Sequence, residues 1–477
     1  MLCSDAVGKG RIIKQADFKN AFCQPELPPD EVVVVKPPKA CPRSAVDEYW
    51  LLQKTLYGLR RSPKHWYDKL AQTFHSLNLR HCPNALGTFV GYPIPDGPPL
   101  YVAAHVDDLI YYSECNLVEE YFEASLASLL RVDFLGPVEY YLGILFDWSR
   151  DGNDNLCVHL SQEAYVSYLL EKFGFDENAL DTKVTPFRSG HPVDAIPRDN
   201  VLPELLKKRY QSLVGSLNWL QISTRLDLSV IYSCLASYQN APTQGHLDAA
   251  LFVLRYLGGC PDLGILYSQR EASRLHSFVA WPDEPRHLHP PGLEEFSDAN
   301  WGPQDATDPP KCKTCHQHIP GREMHVDECR SMLGHCLVRS GGPITWAATK
   351  ESRVSRSVAE SEIKATDEGS KAIQHFRHVM ADLDFPEVSK PTQMLCDNKS
   401  AVDWAKSVFN KTMKYLNIRQ SAVREVVKFK ECVIDHIGGK DNPADLLTKE
   451  QRDNNHFLKL RSKFIVPRPF GPSRTCI

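Results

Sequence analysis

Two adjacent aspartates interrupt an apolar run in which hydrophobic patterning does not favour charged residues. Asp107 and Asp108 lie in the middle of Leu100–Tyr112, a segment made mostly of Val, Ala, Leu, Ile and Tyr. Adjacent carboxylates repel each other and are costly to remove from water. The flanking residues predict two strands of a hairpin, which would place both aspartates at its tight turn. The two interpretations are a metal site and an ordinary surface turn, where Asp is common.

A second apolar segment carries one more carboxylate. Residues Ile12–Phe22 predict a strand that contains Asp17 and is followed by a helix start. Three carboxylates from two strands can hold two divalent ions about 3.5 to 4 Å apart, and such ion pairs serve phosphoryl and nucleotidyl transfer. The sequence therefore offers a candidate two-metal site.

Length and composition limit the class of protein. A chain of 477 residues with 42% hydrophobic content can bury two or three cores. It has no apolar run of about 18 residues, and Met1–Asp5 lacks the basic-then-apolar pattern of a secretory signal. Its 15 cysteines are odd in number and scattered, which favours reduced thiols over disulfides. We expect an intracellular protein, cytoplasmic or nuclear and not secreted, with no membrane partner.

Three motifs, in order along the chain, resemble the polymerase region of copia-type LTR retrotransposons: Gln15–Phe22, Leu56–Tyr67 and His105–Asp108. Segments that resemble the copia connecting region follow at Tyr140–Ile144, Leu160–Gln162, Leu169–Gly174, Tyr210–Leu220, Arg225–Ser229 and Leu254–Gly258. The resemblance covers nearly the whole chain. It implies a fragment of a Pol polyprotein that contains reverse transcriptase and RNase H.

The resemblance also implies a fold of the α+β and α/β classes. We expect a reverse-transcriptase palm at 1–150, a thumb or connection region at 151–290, a mixed-sheet RNase H-like domain at 291–450 with an insertion at 303–330, and a basic tail at 451–477. The palm would be truncated at its N-terminus, with the upstream fingers missing. Without the basic residues of the fingers, a nucleoside triphosphate loses part of its electrostatic clamp.

A second carboxylate set lies after the proline-rich stretch Trp281–Pro291, which reads as a linker. Strands followed by acidic residues and then by helices predict a mixed α/β sheet. This pattern resembles the RNase H domain of copia elements, and the resemblance implies that His436 assists product departure. It implies four metal-binding carboxylates: Asp298, Glu362, Asp397 and Asp445.

Two of these assignments have structural alternatives. Glu360 lies close to Glu362 at the same predicted helix start, and we choose Glu362 from the spacing in the family. An acid at the Glu360 position would be stabilised by the helix dipole. Asp445 precedes a predicted helix and would also serve as its N-cap.

In the polymerase half, the resemblance implies that Asp17 and Asp107, with Asp108 beside them, bind Mg²⁺ or Mn²⁺. Phe22 would block the ribose 2′-hydroxyl of an incoming nucleotide, although a Phe at this place is often plain core. The basic residues beside the second motif, which we predict to contact nucleotide or nucleic acid, are Arg60, Arg61 and Lys64. The alternative is that these three residues only form a solvated helix face. The net charge of −4 supports this alternative, because enzymes that bind nucleic acid usually present a basic surface to its phosphates.

The insertion contains two pairs of zinc-type ligands. Cys312 and Cys315 are spaced as Cys-x2-Cys, and His325 and Cys329 as His-x3-Cys. The gap between the pairs is shorter than in zinc fingers, which favours a flexible polar loop over a zinc site.

The sequence thus predicts an RNA-directed DNA polymerase with RNase H activity. Its partners would be an RNA template, a DNA primer, an RNA:DNA hybrid and dNTPs, and its oligomeric state is left open. The alternatives are an inactive relic or co-opted nucleic-acid-binding protein, and a chain in which RNase H alone works.

Overall fold

The computed structural model of the chain describes residues 1–38, 49–176, 180–188, 193–273, 292–300, 330–407, 422–450 and 453–469. Three large β-sheets, a two-stranded ribbon and the helices packed on them make up these residues. Among the helices described, none combines the length and the apolar character needed to cross a membrane.

The N-terminal region forms a six-stranded antiparallel sheet. Its elements are α1 (Leu2–Gly8), β1 (Lys14–Phe18), β2 (Val34–Val35), β3 (Trp50–Leu51), α2 (Ser62–Ser76), β4 (Leu79–His81), β5 (Thr88–Gly91), β6 (Leu100–His105), β7 (Asp108–Ser113), α3 (Asn116–Leu129) and β8 (Val132–Pro137). The strand order is β4-β5-β6-β7-β1-β8, with β2 and β3 forming the separate ribbon. This order brings β1 next to the β6–β7 hairpin.

Helices α2 and α3 pack on this sheet because their large apolar residues recur every four positions, on one face of each helix. The buried residues that carry this contact are Trp66, Leu70 and Phe74 of α2 and Val118, Phe122 and Leu126 of α3. They share one core cluster with strand residues such as Phe89, Val102 and Leu109.

The middle of the chain forms a second antiparallel sheet and a group of helices. Its elements are β9 (Tyr140–Tyr141), β10 (Ile144–Arg150), β11 (Leu156–Ser161), α4 (Glu163–Phe173), α5 (Glu204–Ser223), α6 (Ser229–Ala236), α7 (Gln244–Gly258), β12 (Gly264–Ser268) and α8 (Gln269–Ser273). Strand β11 is buried along its whole length, as expected for a central strand. A buried bidentate ion pair between Arg225 and Asp227, with Nη2 to Oδ2 at 2.9 Å, lies just before α6.

The C-terminal region forms a mixed sheet. Its elements are β13 (Glu294–Asn300), β14 (Met332–Arg339), β15 (Gly342–Lys350), α9 (Val358–Asp382), β16 (Thr392–Cys396), α10 (Lys399–Lys406), α11 (Ala422–Lys428), β17 (Cys432–His436), α12 (Asn454–Arg461) and β18 (Ile465–Val466). The first five strands have the order β15-β14-β13-β16-β17. Strands β13, β14 and β15 run antiparallel, whereas β16 and β17 run parallel to β13. The predicted fold class, a palm-like sheet followed by a mixed RNase H-like sheet, is confirmed.

The three sheets are joined by side-chain contacts and by the last strand. Strand β18 pairs with β12 and so completes the second sheet, in the order β18-β12-β11-β10-β9. The segment that we predicted as a basic tail therefore includes a helix and a sheet strand. Arg339 of β14 donates to Asp5 of α1 at 2.7 Å and to Glu387 at 2.6 Å, which ties the first helix to the mixed sheet. The domain boundaries themselves stay predictions.

Candidate active sites

The two adjacent aspartates lie at a hairpin turn, as predicted. His105 ends β6 and pairs with Asp108, which begins β7, so Val106 and Asp107 form the tight turn. Val106 has a backbone φ of 57°, a left-handed conformation that is strained for a β-branched residue. Strain of this kind persists where surrounding contacts determine the conformation.

Trp66 and Phe18 supply those contacts. The indole N–H of Trp66 donates to the carbonyl of Val106 at 2.5 Å, and the backbone N–H of Phe18 donates to the carbonyl of Asp107 at 2.8 Å. The two rings pack edge to face, with centroids 5.0 Å apart. Trp66 is 2% exposed, and a buried indole needs a hydrogen-bond acceptor. We did not predict this supporting role from the sequence.

Asp17 lies on β1, the strand next to the hairpin. It pairs with Asp108 on one side and with Asp133 of β8 on the other. Partial burial, followed by repulsion from Asp107, Asp108 and Asp133, raises the pKa of Asp17. Partial burial and the neighbouring Asp107 also raise the pKa of Asp108. Carboxylates that resist ionisation in this way would be stabilised by a divalent cation.

An aromatic pair lies beside these carboxylates. Phe22 is half-buried in a short 3-10 helix, and its ring packs edge to face on that of Tyr57, with centroids 5.1 Å apart. Partial burial and the charges of Asp107, Cys23 and Asp17 raise the pKa of the Tyr57 hydroxyl. The Tyr57 side chain is 51% exposed and thus open to a ligand. Tyr57 lies within the second sequence motif, but the sequence analysis assigned it no role.

The three predicted basic residues have different surroundings. Arg60 and Lys64 are exposed at the start of α2. Arg61 is also exposed, but its Nη1 lies 2.9 Å from Oε2 of Glu31, which His65 contacts at 3.0 Å. Part of the charge of Arg61 is therefore compensated within the protein.

Four carboxylates meet on the mixed sheet. Asp298 lies in β13, Glu362 in the second turn of α9, Asp397 directly after β16, and Asp445 in a 3-10 helix. Possible ligand atoms of Asp298, Asp397 and Asp445 all lie within 4.8 Å of one another, as do those of Glu362, Cys396 and Asp397. Within the described part of the chain, Asp17, Asp107 and Asp108 do not form a group this tight.

Burial and mutual repulsion shift the ionisation of this cluster. Burial and Asp445 raise the pKa of Asp298 to about 6, although Lys449 opposes the shift. Burial, Asp298 and Asp397 raise the pKa of Glu362 to about 9. Oδ1 of Asp298, whose residue is 1% exposed, has no hydrogen-bond partner in the described structure. An orphaned buried oxygen among convergent carboxylates fits a hard divalent cation such as Mg²⁺.

The segment before Asp445 is held by a residue that the sequence analysis did not single out. The Asn442 side chain accepts from the backbone N–H of Ala444 at 3.1 Å and donates to the carbonyl of Ser297 at 2.9 Å. Asn442 is therefore the N-cap of the 3-10 helix, and the N-cap role that we considered for Asp445 is wrong. The hydroxyl of Thr448 donates to Asp298, a second contact that sequence reasoning missed.

Among the described residues, neither Glu360 nor His436 belongs to these groups of close ligand atoms. The carboxylate of Glu360 accepts from the backbone N–H of Arg356 at 2.8 Å, while the Ser357 side chain caps α9. The structure thus brings Glu362, and not Glu360, to the other carboxylates. His436 is exposed at the end of β17, and its Nε2 lies 3.1 Å from the carbonyl of Asp397.

The predicted zinc ligands Cys312, Cys315, His325 and Cys329 lie outside the described residues. That site stays a prediction.

Comparison with known families matches residues 1–189 to the family described as "Reverse transcriptase (RNA-dependent DNA polymerase)". Among curated proteins, the chain is 27% identical over 450 residues to the retrovirus-related Pol polyprotein from transposon RE2 of Arabidopsis thaliana, covering 93% of this chain and 27% of the relative. The corresponding protein from transposon TNT 1-94 of Nicotiana tabacum is 24% identical over 447 residues, covering 92% of this chain and 30% of the relative. The chain thus spans about a quarter to a third of the length of these relatives.

Two kinds of solved structure are similar to parts of the chain. An RNase H1 isolated from compost is 13% identical, with a TM-score of 0.24, and the match covers 35% of this chain and 96% of the RNase H1 chain. A foamy viral protease-reverse transcriptase in complex with RNA/DNA hybrid is 9% identical, with a TM-score of 0.26, and the match covers 93% of this chain and 68% of the viral chain. Because both TM-scores are low, the fold assignment depends on the strand order described above.

Proposed function

We propose that this chain, which is similar to the Pol polyproteins of copia-type retrotransposons, carries two metal-dependent sites, one for RNA-directed DNA synthesis and one for hydrolysis of the RNA strand. Its substrates would be a DNA primer on an RNA template, dNTPs and the resulting RNA:DNA hybrid. The proposal covers this chain alone, because the relatives are several times longer.

The observation that carries the proposal is the separation of the carboxylates into two clusters on two different sheets. Asp17 and Asp108 face each other across β1 and β7, within the residues that match the reverse transcriptase family. The second cluster lies at the junction of β13, β16 and α9, where buried carboxylates from distant parts of the chain converge. Keeping repelling carboxylates together costs stability, so such clusters are candidates for function.

The donor sets are mainly carboxylate oxygens, as Mg²⁺ or Mn²⁺ requires. When bound, such ions would lower the pKa of the attacking hydroxyl or water and stabilise charge on the transferred phosphoryl group. The residues that would hold them are Asp17, Asp107 and Asp108 in the palm and Asp298, Glu362, Asp397 and Asp445 in the mixed sheet.

Other side chains would position substrate. The Phe22 and Tyr57 rings border the palm carboxylates, so the sugar of an incoming nucleotide would meet an apolar wall there. Such a wall disfavours an additional 2′-hydroxyl by steric exclusion. Arg60 and Lys64 are exposed and would contact phosphate groups. In the mixed sheet, His436 would act at the departure of product.

A second candidate function is RNA cleavage without DNA synthesis. The specific observation in its favour is a difference in how tightly the two clusters are assembled. Among the described residues, ligand atoms converge within 4.8 Å in the mixed sheet, whereas those of Asp17, Asp107 and Asp108 in the palm do not. If bound primer and nucleotide draw the palm carboxylates together, the two clusters become equally tight and this observation no longer favours cleavage alone. Direct assay separates the two cases.

The test is one gel assay with purified chain, Mg²⁺, dNTPs and a DNA primer on a labelled RNA template. Asp107→Asn should abolish primer extension and leave RNA cleavage intact, whereas Asp397→Asn should do the reverse. Matched controls are Asp96→Asn and Asp403→Asn, which change exposed aspartates in the same two regions. Both controls should retain both activities.

The outcomes separate the candidates. Extension and cleavage, each lost in its own variant, support both sites. Cleavage without extension supports the second candidate. Neither activity in a folded wild-type protein would reject both enzymatic proposals and favour a relic or a nucleic-acid-binding protein.

A further inference from the structure

A buried thiol lies among the carboxylates of the mixed sheet. Sγ of Cys396 is 4.0 Å from Oε2 of Glu362, and a ligand atom of Asp397 lies within 4.8 Å of both. Cys396 is fully buried, and Glu362 is 4% exposed. The thiol therefore faces the cluster and not bulk solvent.

A second feature of the same place indicates an available ligand. Oδ1 of Asp298 is buried and has no hydrogen-bond partner in the described residues. A ligand atom of Asp298 lies within 4.8 Å of one of Asp397, which is also a member of the group that contains the thiol. A cation bound beside Cys396 would compensate this oxygen as well.

We propose that Cys396, Glu362 and Asp397 form a binding site for a thiophilic divalent cation such as Zn²⁺ or Cd²⁺. The thiolate is the ligand that binds metal, so coordination releases the thiol proton to solvent. Tetrahedral zinc with sulfur and oxygen ligands places adjacent ligand atoms about 3.6 Å apart. Sγ of Cys396 and Oε2 of Glu362 would approach by a few tenths of an ångström from 4.0 Å, and the Asp397 ligand atom would move in from within 4.8 Å of both.

This site would compete with the proposed Mg²⁺ site, since both use Glu362 and Asp397. Mg²⁺ prefers oxygen ligands and gains little from sulfur, whereas Zn²⁺ and Cd²⁺ bind thiolate well. Thiophilic cations would thus displace Mg²⁺ and inhibit RNA cleavage. This last consequence rests on the proposed function, but the binding site itself does not.

The experiment measures metal binding directly. Cd²⁺ is titrated into a background variant, Cys312→Ser/Cys315→Ser/Cys329→Ser, which removes the cysteines of the insertion. Formation of a cadmium–thiolate bond is followed by its ultraviolet charge-transfer absorption. We expect an absorption that saturates near one equivalent, is lost on adding Cys396→Ser, and persists on adding Cys432→Ser, which changes another buried thiol of the same sheet.

A second pair of variants covers the case in which Cys396→Ser fails to fold. Glu362→Gln and Asp397→Asn keep the thiol but remove carboxylate ligands, and each should weaken Cd²⁺ binding at least tenfold. An absorption that is equal with and without Cys396, or an affinity unchanged in both carboxylate variants, would overturn the proposal. Cadmium binding without any Mg²⁺-dependent RNA cleavage would uphold this site and reject the RNase H function.

Discussion

Lys449 Nζ lies 2.5 Å from Oδ1 of Asp445 and 3.5 Å from Oδ2 of Asp298. Burial opposes the charge of Lys449, but the two aspartates more than compensate and raise its pKa. Lys449 also offsets part of the rise in the pKa values of Glu362 and Asp397, which burial and neighbouring carboxylates cause. It is therefore an internal counter-charge for the whole cluster, next to the place where a divalent cation would bind.

Lys449→Met should destabilise the metal-free protein. Loss of a charge-assisted contact to buried carboxylates costs about 1.5 to 3 kcal/mol. Addition of Mg²⁺ should then raise the thermal midpoint by more in the variant than in the wild type. Without the positive charge of Lys449 the carboxylates should bind Mg²⁺ more tightly, and a ligand that binds the folded state more tightly stabilises it more. Thermal unfolding without Mg²⁺, and at Mg²⁺ concentrations raised in tenfold steps, measures both effects.

The control for this prediction is Lys459→Met. Lys459 pairs with Asp441, but both side chains are more than half exposed, so the change should have little effect on stability. An identical response of the two variants to Mg²⁺ would contradict the counter-charge role of Lys449.

Trp66→Phe should reduce DNA synthesis without reducing RNA cleavage. The substitution keeps the aromatic packing on Phe18 but removes the N–H that holds the strained Val106 turn. A lost neutral hydrogen bond costs about 1 kcal/mol of stability, while misplacement of Asp107 should cost at least tenfold in primer extension. Both activities are measured on the same primer–template.

Trp148→Phe is the matched control for Trp66→Phe. Its indole N–H also donates to a backbone carbonyl, that of Val138 at 2.8 Å, but in the second sheet. Equal losses of extension in the two variants would show that the effect is general destabilisation and not turn geometry.

Protonation of His246 should destabilise α7 in mild acid. Burial lowers the pKa of His246 to about 4, whereas an unfolded histidine has a pKa of about 6.5. The unfolded state therefore binds more protons between these values, and stability is present above pH 6.5 and lost as the pH falls toward 4. The loss from pH 7.5 to pH 5 should be about 2 kcal/mol.

Hydrogen exchange of the α7 amides measures this loss. His246→Asn supplies an acceptor for the Thr243 backbone N–H and cannot ionise, so its α7 protection should depend less on pH. If wild type and variant lose the same protection on acidification, His246 does not carry the effect.

Arg225→Met should be among the most destabilising single changes in the middle region. Arg225 is 1% exposed and forms the bidentate pair with Asp227, so the change leaves a buried carboxylate without its cationic partner. The expected cost is about 3 to 5 kcal/mol, read from the urea midpoint. Arg225→Met/Asp227→Leu should recover part of it, because the unpaired charge is then also removed. A double variant no more stable than the single one would contradict this account.

Local sequence patterns predicted many elements correctly because their signals involve near neighbours. The hairpin around Asp107 follows from two apolar segments and a polar turn, and the β14–β15 hairpin follows from the same logic. The predicted pattern of a strand, an acidic residue and a helix is present where β16 precedes Asp397 and α10, capped by Asn398, follows it. Capping and strand alternation are short-range effects, so the chain displays them directly.

Functional contacts were harder to predict because they join residues far apart in the chain. Tyr57 near Asp107, Trp66 under Val106 and Cys396 facing Glu362 each depend on how separate elements pack. Single motifs carry no information on these distances. The N-cap role considered for Asp445 failed for a similar reason, since Asn442 has a second partner in Ser297 that only packing supplies.

The sequence by itself determined the candidate carboxylates, their order and the class of the sheets, because residue type and periodicity are properties of the chain. Only the tertiary structure decided which acids converge, which oxygen of Asp298 is left without a donor, and that Lys449 lies beside it. Burial and repulsion act through space, and their strength depends on distances that are set when the sheets pack.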